Sequence, residues 1–300
     1  MPKKNPRDLI GLGSKDQKIK WPNNARIAVQ IVLNYEEGAE NCILNGDNNS
    51  EVFLSEIISA QPVKGRHISM ESLYEYGSRA GFWRLNKLFQ EKKIPITVFG
   101  VGMALEKNPE VCKAIIEAGY EVASHGWRWI DYQNIKKSEE KKHMSLAIKS
   151  HTKIFGERPN GWYTGRCSPN TRDLVMEDGG FLYDSDSYSD DLPYWETRNK
   201  KKQLIIPYTL DNNDMRFATN QGFNTGEHFF SYLKDSFDAL YEEGETSPKM
   251  MSVGLHCRLI GKPGRIQSLK KFLDYILKHE DVWICKRLDI AKHWIKNYSE

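Results

Sequence analysis

The sequence has no apolar run long enough to cross a bilayer. Its best, ARIAVQIVL from Ala25 to Leu33, falls far short of the ~20 residues a spanning helix needs and contains Arg26 and Gln30. The N-terminal string MPKKNPRDLIGLGSKDQK lacks the apolar core of a secretory signal. Cysteine is sparse and unpatterned: Cys42, Cys112, Cys167, Cys257 and Cys285 are odd in number and contain no C-x-x-C pair. That argues for free thiols in a reducing compartment and against a disulfide framework or a zinc–cysteine site. Together these absences predict a soluble, cytoplasmic protein with no membrane partner.

Charge of one sign is also missing. The net formal charge is +3, with 43 basic and 40 acidic residues, and Lys and Glu alternate without a basic stripe, which argues against nucleic acid as a partner. GLGSK near the N-terminus follows no strand and is not a complete phosphate loop. YDSDSYSDD (183–191) lacks the spaced glycine and terminal glutamate of an EF-hand loop, and reads as a turn-rich substrate or interface loop. KKSEEKKH and RNKKKQ read as solvated faces. No internal repeat, low-complexity block or linker-like break appears.

What is present is alternation. Strand-like apolar segments (ARIAVQIVL, PITVFGV, YEVASHG, GWYTGR, QLIIPYTL, KMMSVGLHC and the start of VWICKRL) alternate with segments of helical spacing. These helices are GFWRLNKLFQEKK, NPEVCKAIIEAGY (Asn108 as cap, Pro109 first, Gly119 at the end), one capped by Ser138 through SEEKKHMSLAIKSHTKIFG, and then TRDLVMEDGG, HFFSYLKDSFDALYEE, IQSLKKFLDYILKH and the last, IAKHWIKN. Strand–helix alternation predicts an α/β fold, a parallel sheet covered by helices, and six or more repeats suit a barrel. We read one domain over 25–300, preceded by a 1–24 extension packed on it, with a long polar and aromatic insertion at about 39–80. Tyr74 and Tyr76 in that insertion would wall the pocket or make oligomer contacts.

In parallel α/β folds ligands meet the C-terminal ends of the strands. NYEEG (34–38), SHGWRW (124–129), YTGRCS (163–168), DNNDMRF (211–217) and LHCRL (255–259) all sit there, bringing carboxylates, two histidines, arginines and aromatics to one rim.

In this order the strand-end groups resemble the polysaccharide deacetylase superfamily of carbohydrate esterases, over roughly residues 25–295. That resemblance implies a distorted (β/α) barrel and hydrolysis of C–N bonds. The family's first motif is a pair of aspartates before glycine; here it is Glu36-Glu37-Gly38. Its second is His-x-x-x-His, two metal ligands completed by the second aspartate; here it is His125 and then Trp129. Its third places an arginine in a proline-rich turn; here Tyr163 stands at that place and Arg166 follows three residues on. Its last, Leu-His, is Leu255-His256, whose imidazole protonates the leaving group.

Two of the three metal ligands are therefore changed, and a catalytic cation generally needs at least three protein ligands. The expectation is no metal and no cofactor. The strings NYEEGAENCILNGD, ESLYEYGSRAGFWRL, GWYTGRCSPNTR, PYTLDNNDMRF and VGLHCRLIGKPGR are similar to the bacterial allantoinases recruited from this superfamily. That subgroup hydrolyses the hydantoin ring of allantoin to allantoate, a step of purine breakdown, without a metal and as a homo-oligomer, a tetramer. A metal-dependent N-deacetylase acting on peptidoglycan or another polysaccharide is the alternative.

Opening a cyclic amide needs a base, donors for the oxyanion and an acid for the departing nitrogen. Glu36 is the expected base, its pKa raised by partial burial or by Glu37; His256 is the expected acid. Adjacent carboxylates point to opposite sides of an extended chain, so Glu37 is expected to orient Arg166 or Arg258 unless Gly38 turns it. Arg166, Arg258 and His125 are candidates for charge stabilisation. Trp129 is read as filling the vacated metal volume and facing the planar substrate, with Tyr163 and Asp214 as further pocket residues.

Overall fold

A computed structural model describes residues 7–12 and 18–299; Gly13, Ser14 and Lys15 of the GLGSK string lie outside them. Among the described residues nine strands form one sheet: β1 Ile27–Tyr35, β2 Ile96–Gly100, β3 Glu121–Ser124, β4 Gly161–Trp162, β5 Tyr183–Asp184, β6 Tyr194–Arg198, β7 Lys201–Ile205, β8 Lys249–His256 and β9 Val282–Ile284. Their order is β6-β7-β5-β4-β3-β2-β1-β8, with β9 paired to the first residues of β1. Every pairing is parallel except β6 with β7. Past β7 the chain touches β8 through a single bridge, Asn213 to Gly254, so the sheet curls towards closure without a full ladder. This is a distorted (β/α) barrel, as the resemblance implies.

β1 is buried along its whole length, which is why ARIAVQIVL shows no polar alternation. Its two faces nevertheless differ. Ile27, Val29, Ile31, Leu33 and Tyr35 pack in the large cluster under the helices, whereas Ala28 and Val32 face a second cluster with Phe99, Tyr163, Tyr183 and Tyr208. The period of two puts Gln30 and Asn34 on that second face as well. Gln30 accepts a hydrogen bond from the buried Arg287 (2.9 Å), and Asn34 donates one to the Tyr208 hydroxyl (2.9 Å). Ile19 and Trp21, from the N-terminal segment, belong to this second cluster too.

The helix Pro109–Glu117 forms as its sequence dictates: the Asn108 side chain accepts from the Val111 amide, and Gly119 has φ +65°. Ser138 does not cap its helix. That helix spans Lys137–Phe155 with Lys136 at the cap position and no side-chain cap bond, so Ser138 lies inside the first turn. Among the described residues no helix is long and apolar enough to cross a membrane.

The stretch read as an insertion to about residue 80 is partly helical. Ile68–Tyr76 is an α-helix that runs through a wide π-turn, Gly77–Gly81, into the helix Phe82–Lys92. π-turns accumulate at functional sites, and this one has a steric reason. A Cβ on Gly77 would lie 2.3 Å from Glu37 Oε1, and one on Gly81 would lie 2.0 Å from the Cys257 carbonyl oxygen. The two glycines let the helix press against the backbone that carries the rim residues. Gly81→Ala should therefore destabilise the fold by about 1–3 kcal/mol through overpacking; equilibrium urea unfolding measures it, and an unchanged midpoint would remove this account of the turn.

Candidate active site

Strand register builds the site. Asn34 pairs with His256, Tyr35 with Gly100, Gly100 with Ser124, and Ser124 with Trp162. Glu36, His125 and Tyr163 each follow by one residue, so they meet His256 on one rim. Glu36 lies at its centre, 1% exposed. Its Oε2 accepts from Arg258 Nη2 at 2.7 Å, and its Oε1 stands 3.3 Å from His125 Nε2 and 3.4 Å from His256 Nε2.

The outer nitrogens of both imidazoles are tied. His125 Nδ1 donates to the Tyr163 carbonyl (3.1 Å), and His256 Nδ1 donates to Asp214 Oδ1 (2.6 Å). Asp214 Oδ2 accepts from the amides of His256 (2.8 Å) and Ile260 (3.0 Å). Asp214 comes from the 3₁₀ turn Asp214–Ala218 and is wholly buried. It is the partner that holds His256 in place, a role the sequence reading did not assign to it.

Burial alone would raise the Glu36 carboxyl, but Arg258 and then His256 overcome it and hold the group well below the ordinary carboxylate range. The expected upward shift of the base is thus reversed. Glu37 moves the other way: burial raises it and Glu36 adds to this, against Arg258. For His256 desolvation favours the neutral ring, yet Glu36 and Asp214 outweigh it and lift the imidazole to about 9. At neutral pH the pair is a carboxylate beside an imidazolium, a base and an acid each in its working form.

Glu37 does not point to the opposite side: the chain turns at Gly38 (φ +99°), and its carboxylate folds back to the same guanidinium that Glu36 meets. One oxygen accepts from the Glu36 amide (3.0 Å) and the other faces Arg258 Nη1 (3.4 Å). Of the two arginines expected as its partner, Arg258 is the one. Arg166 instead pairs with Glu51 (3.3 Å) and stands over the rings of Trp129 (5.0 Å) and Phe53 (5.4 Å). Trp129 is buried, stacked on Phe53 at 6.0 Å, and also lies under Arg258 at 5.2 Å. Tyr163 stacks on Phe99 (4.7 Å), and its hydroxyl shares a hydrogen bond with Tyr188 (2.9 Å). Tyr188, from the loop after β5, was not singled out in the sequence; neither were Phe53, Glu51 or Tyr208. Tyr74 is buried with its ring under the Arg258 guanidinium at 4.2 Å, whereas Tyr76 meets Lys262. A cavity of about 260 Å³ reaches Glu37 together with Glu40, Ser78 and Lys107, but Glu36 and His256 do not line it.

A polysaccharide deacetylase family model matches residues 64–177. A Schizosaccharomyces pombe protein assigned by name to those deacetylases is 44% identical, over 96% of each chain. The chain belongs to the polysaccharide deacetylase family. A Pseudomonas aeruginosa crystal structure named for the same family is 59% identical and superposes with a TM-score of 0.97, covering 99% of this chain and all of that one. The crystal structure of PuuE allantoinase is 58% identical with a TM-score of 0.97, covering 99% of both chains.

The cation that this deacetylase family implies does not fit these side chains. Glu36 is taken by Arg258 and two imidazoles, Glu37 by Arg258 and an amide, and position 129 offers an indole with no lone pair. Among the described residues no three His, Cys, Asp or Glu side chains converge as a ligand set.

Proposed function

We propose that this deacetylase-family hydrolase opens the ring amide of allantoin to give allantoate, with no catalytic metal. The observation that carries the reading is the near-complete likeness to PuuE allantoinase, joined to a buried carboxylate–imidazolium pair with the protonation states that amide hydrolysis needs.

In this mechanism Glu36 holds a water beside the amide carbonyl and takes its proton as the oxygen–carbon bond forms. Arg166, on the substrate side, supplies donors to the oxyanion, because His125 already commits its Nδ1–H to the Tyr163 carbonyl and faces Glu36 with Nε2. His256 then gives the Nε2 proton to the departing ring nitrogen, and the C–N bond breaks. Glu36 is left protonated and His256 neutral. Their 3.4 Å separation allows the proton to return to the imidazole, and the new carboxylic acid releases one proton to water. Tyr163, Arg166 and Trp129 wall the substrate side, with Asp214, Glu37 and Arg258 holding the reacting pair. We further read the chain as one catalytic domain with its N-terminal segment packed on it, working in the cytoplasm as a homo-oligomer.

The name carried by the S. pombe relative favours a second reading, removal of an N-acetyl group from a polysaccharide. The same base and acid would serve an acetamide. The deciding assay is allantoate formation by chelator-treated protein, run beside acetate release from peptidoglycan and chitin oligomers. Full allantoin turnover after chelation is the expected result. Turnover restored only by added zinc would overturn metal independence, and acetate release without allantoin turnover would favour the deacetylase reading.

A further inference from the structure

We propose that Arg258 is a built-in cation at the position a divalent ion would serve, and that its guanidinium, rather than the indole of Trp129, is what keeps a metal out. The proposal rests on the reading of Glu36 and His256 as the reacting centre, but testing it requires no turnover.

Glu36 and Glu37 are neighbours, 1% and 4% exposed. Two adjacent carboxylates at such depth need a cation. Arg258 meets both, at 2.7 Å and 3.4 Å, and its Nε donates to the Leu54 carbonyl (3.0 Å). Its side chain is 1% exposed, with the Tyr74 ring at 4.2 Å and the Trp129 ring at 5.2 Å. A guanidinium stays protonated at any pH at which the fold survives, so this charge is fixed in number and place.

The two positions that depart from the metal-holding pattern, 37 and 129, are both in contact with this one guanidinium. Glu37 reaches it with an oxygen, and Trp129 covers it with a flat face, as an aromatic ring does for a desolvated cation. The departures are therefore parts of one device that seats an arginine. A divalent ion placed among the same carboxylates would lie a few ångströms from the guanidinium, in surroundings that screen like charges poorly. Restoring the ligands alone should then fail to restore a metal.

The test is zinc titration by calorimetry of chelator-treated E37D/W129H and E37D/W129H/R258S, each checked for native circular dichroism. The triple variant is expected to bind one zinc at least about 100-fold more tightly than the double variant, because only there does a buried carboxylate pair lack its cation. Equal zinc affinity in the two variants would overturn the proposal, as would a folded triple variant that binds none. If the triple variant does not fold, R258S alone decides. Millimolar guanidinium chloride should raise its melting temperature, relative to the same concentration of sodium chloride, and leave that of the wild type unraised. An R258S protein indifferent to guanidinium would show that the site needs no cation there. Failure of the allantoinase reading would appear separately, as absent turnover in a wild type that still excludes zinc.

Discussion

Glu36→Gln should lower kcat for allantoin by about 10³-fold or more, with a much smaller change in KM. Two losses combine. A glutamine cannot take the proton of the attacking water, and general-base catalysis of this kind contributes roughly 10²–10⁴-fold. The second loss falls on the acid. Glu36 is the leading cause of the upward shift of His256, so its neutralisation lowers the imidazole from about 9 and thins the cationic form that protonates the leaving nitrogen. The substitution keeps the shape of the side chain, and Glu37 stays beside Arg258, so the guanidinium keeps one carboxylate. Removing one partner of a buried ion pair still costs stability, up to about 3–5 kcal/mol. Kinetics are therefore to be read below the melting transition, which thermal unfolding locates. A folded Glu36→Gln protein within tenfold of the wild-type kcat would remove Glu36 from the chemistry.

Much of this site was legible before any coordinates because strands leave a periodic signature and the reactive residues follow strand ends. Once β1, β3, β4 and β8 are recognised, parallel register alone brings Glu36, His125, Tyr163 and His256 to one rim. That Glu36 and Glu37 share one guanidinium is not a matter of strand geometry, because β1 ends at Tyr35 and the turn at Gly38 (φ +99°) folds Glu37 back. The choice between Arg166 and Arg258 as partner does not follow from it either, because each reaches its target through several rotatable bonds and only packing selects the rotamer. Arg258 is trapped between Tyr74 and Trp129, whereas Arg166 leans outwards to Glu51. The hairpin of β6 and β7 was partly hidden for a different reason. YWETR is the edge strand and carries the charges that blunt an edge, and RNKKKQ, which runs through the turn into β7, reads as a solvated face, so only QLI of the hairpin falls in a strand-like segment. The direction of the Glu36 shift was misjudged because burial, visible as a strand-end position, raises a carboxyl, whereas the two cations that reverse it arrive from 222 and 220 residues away in the chain.

Asp214 was legible only as a polar residue near the rim. It sits 42 residues before His256, and nothing local connects them. Its geometry carries the second large prediction. The carboxylate accepts three hydrogen bonds: His256 Nδ1–H on one oxygen, and the amides of His256 and Ile260 on the other. An asparagine has one oxygen for these three donors. If that oxygen keeps the two amides, its NH₂ faces Nδ1 and forces the imidazole to hold its only proton on Nε2, as an uncharged ring. Asp214→Asn should then reduce kcat by about 10³–10⁴-fold, the scale seen when a triad histidine is left in the wrong tautomer. The pH profile separates this from a purely structural effect. His256 is lifted to about 9, so in the wild type the acid form persists through neutrality and activity falls only as pH rises through about 9. Loss of the Asp214 charge lowers the imidazole, and the alkaline limb of the variant should move down towards the ordinary histidine range near 6.5. Rates measured from pH 6 to 10.5, with the uncatalysed hydrolysis subtracted, give both quantities. A variant with wild-type kcat and an alkaline limb still near 9 would leave Asp214 as a brace for the turn after β8 and return the tuning of His256 to Glu36 alone.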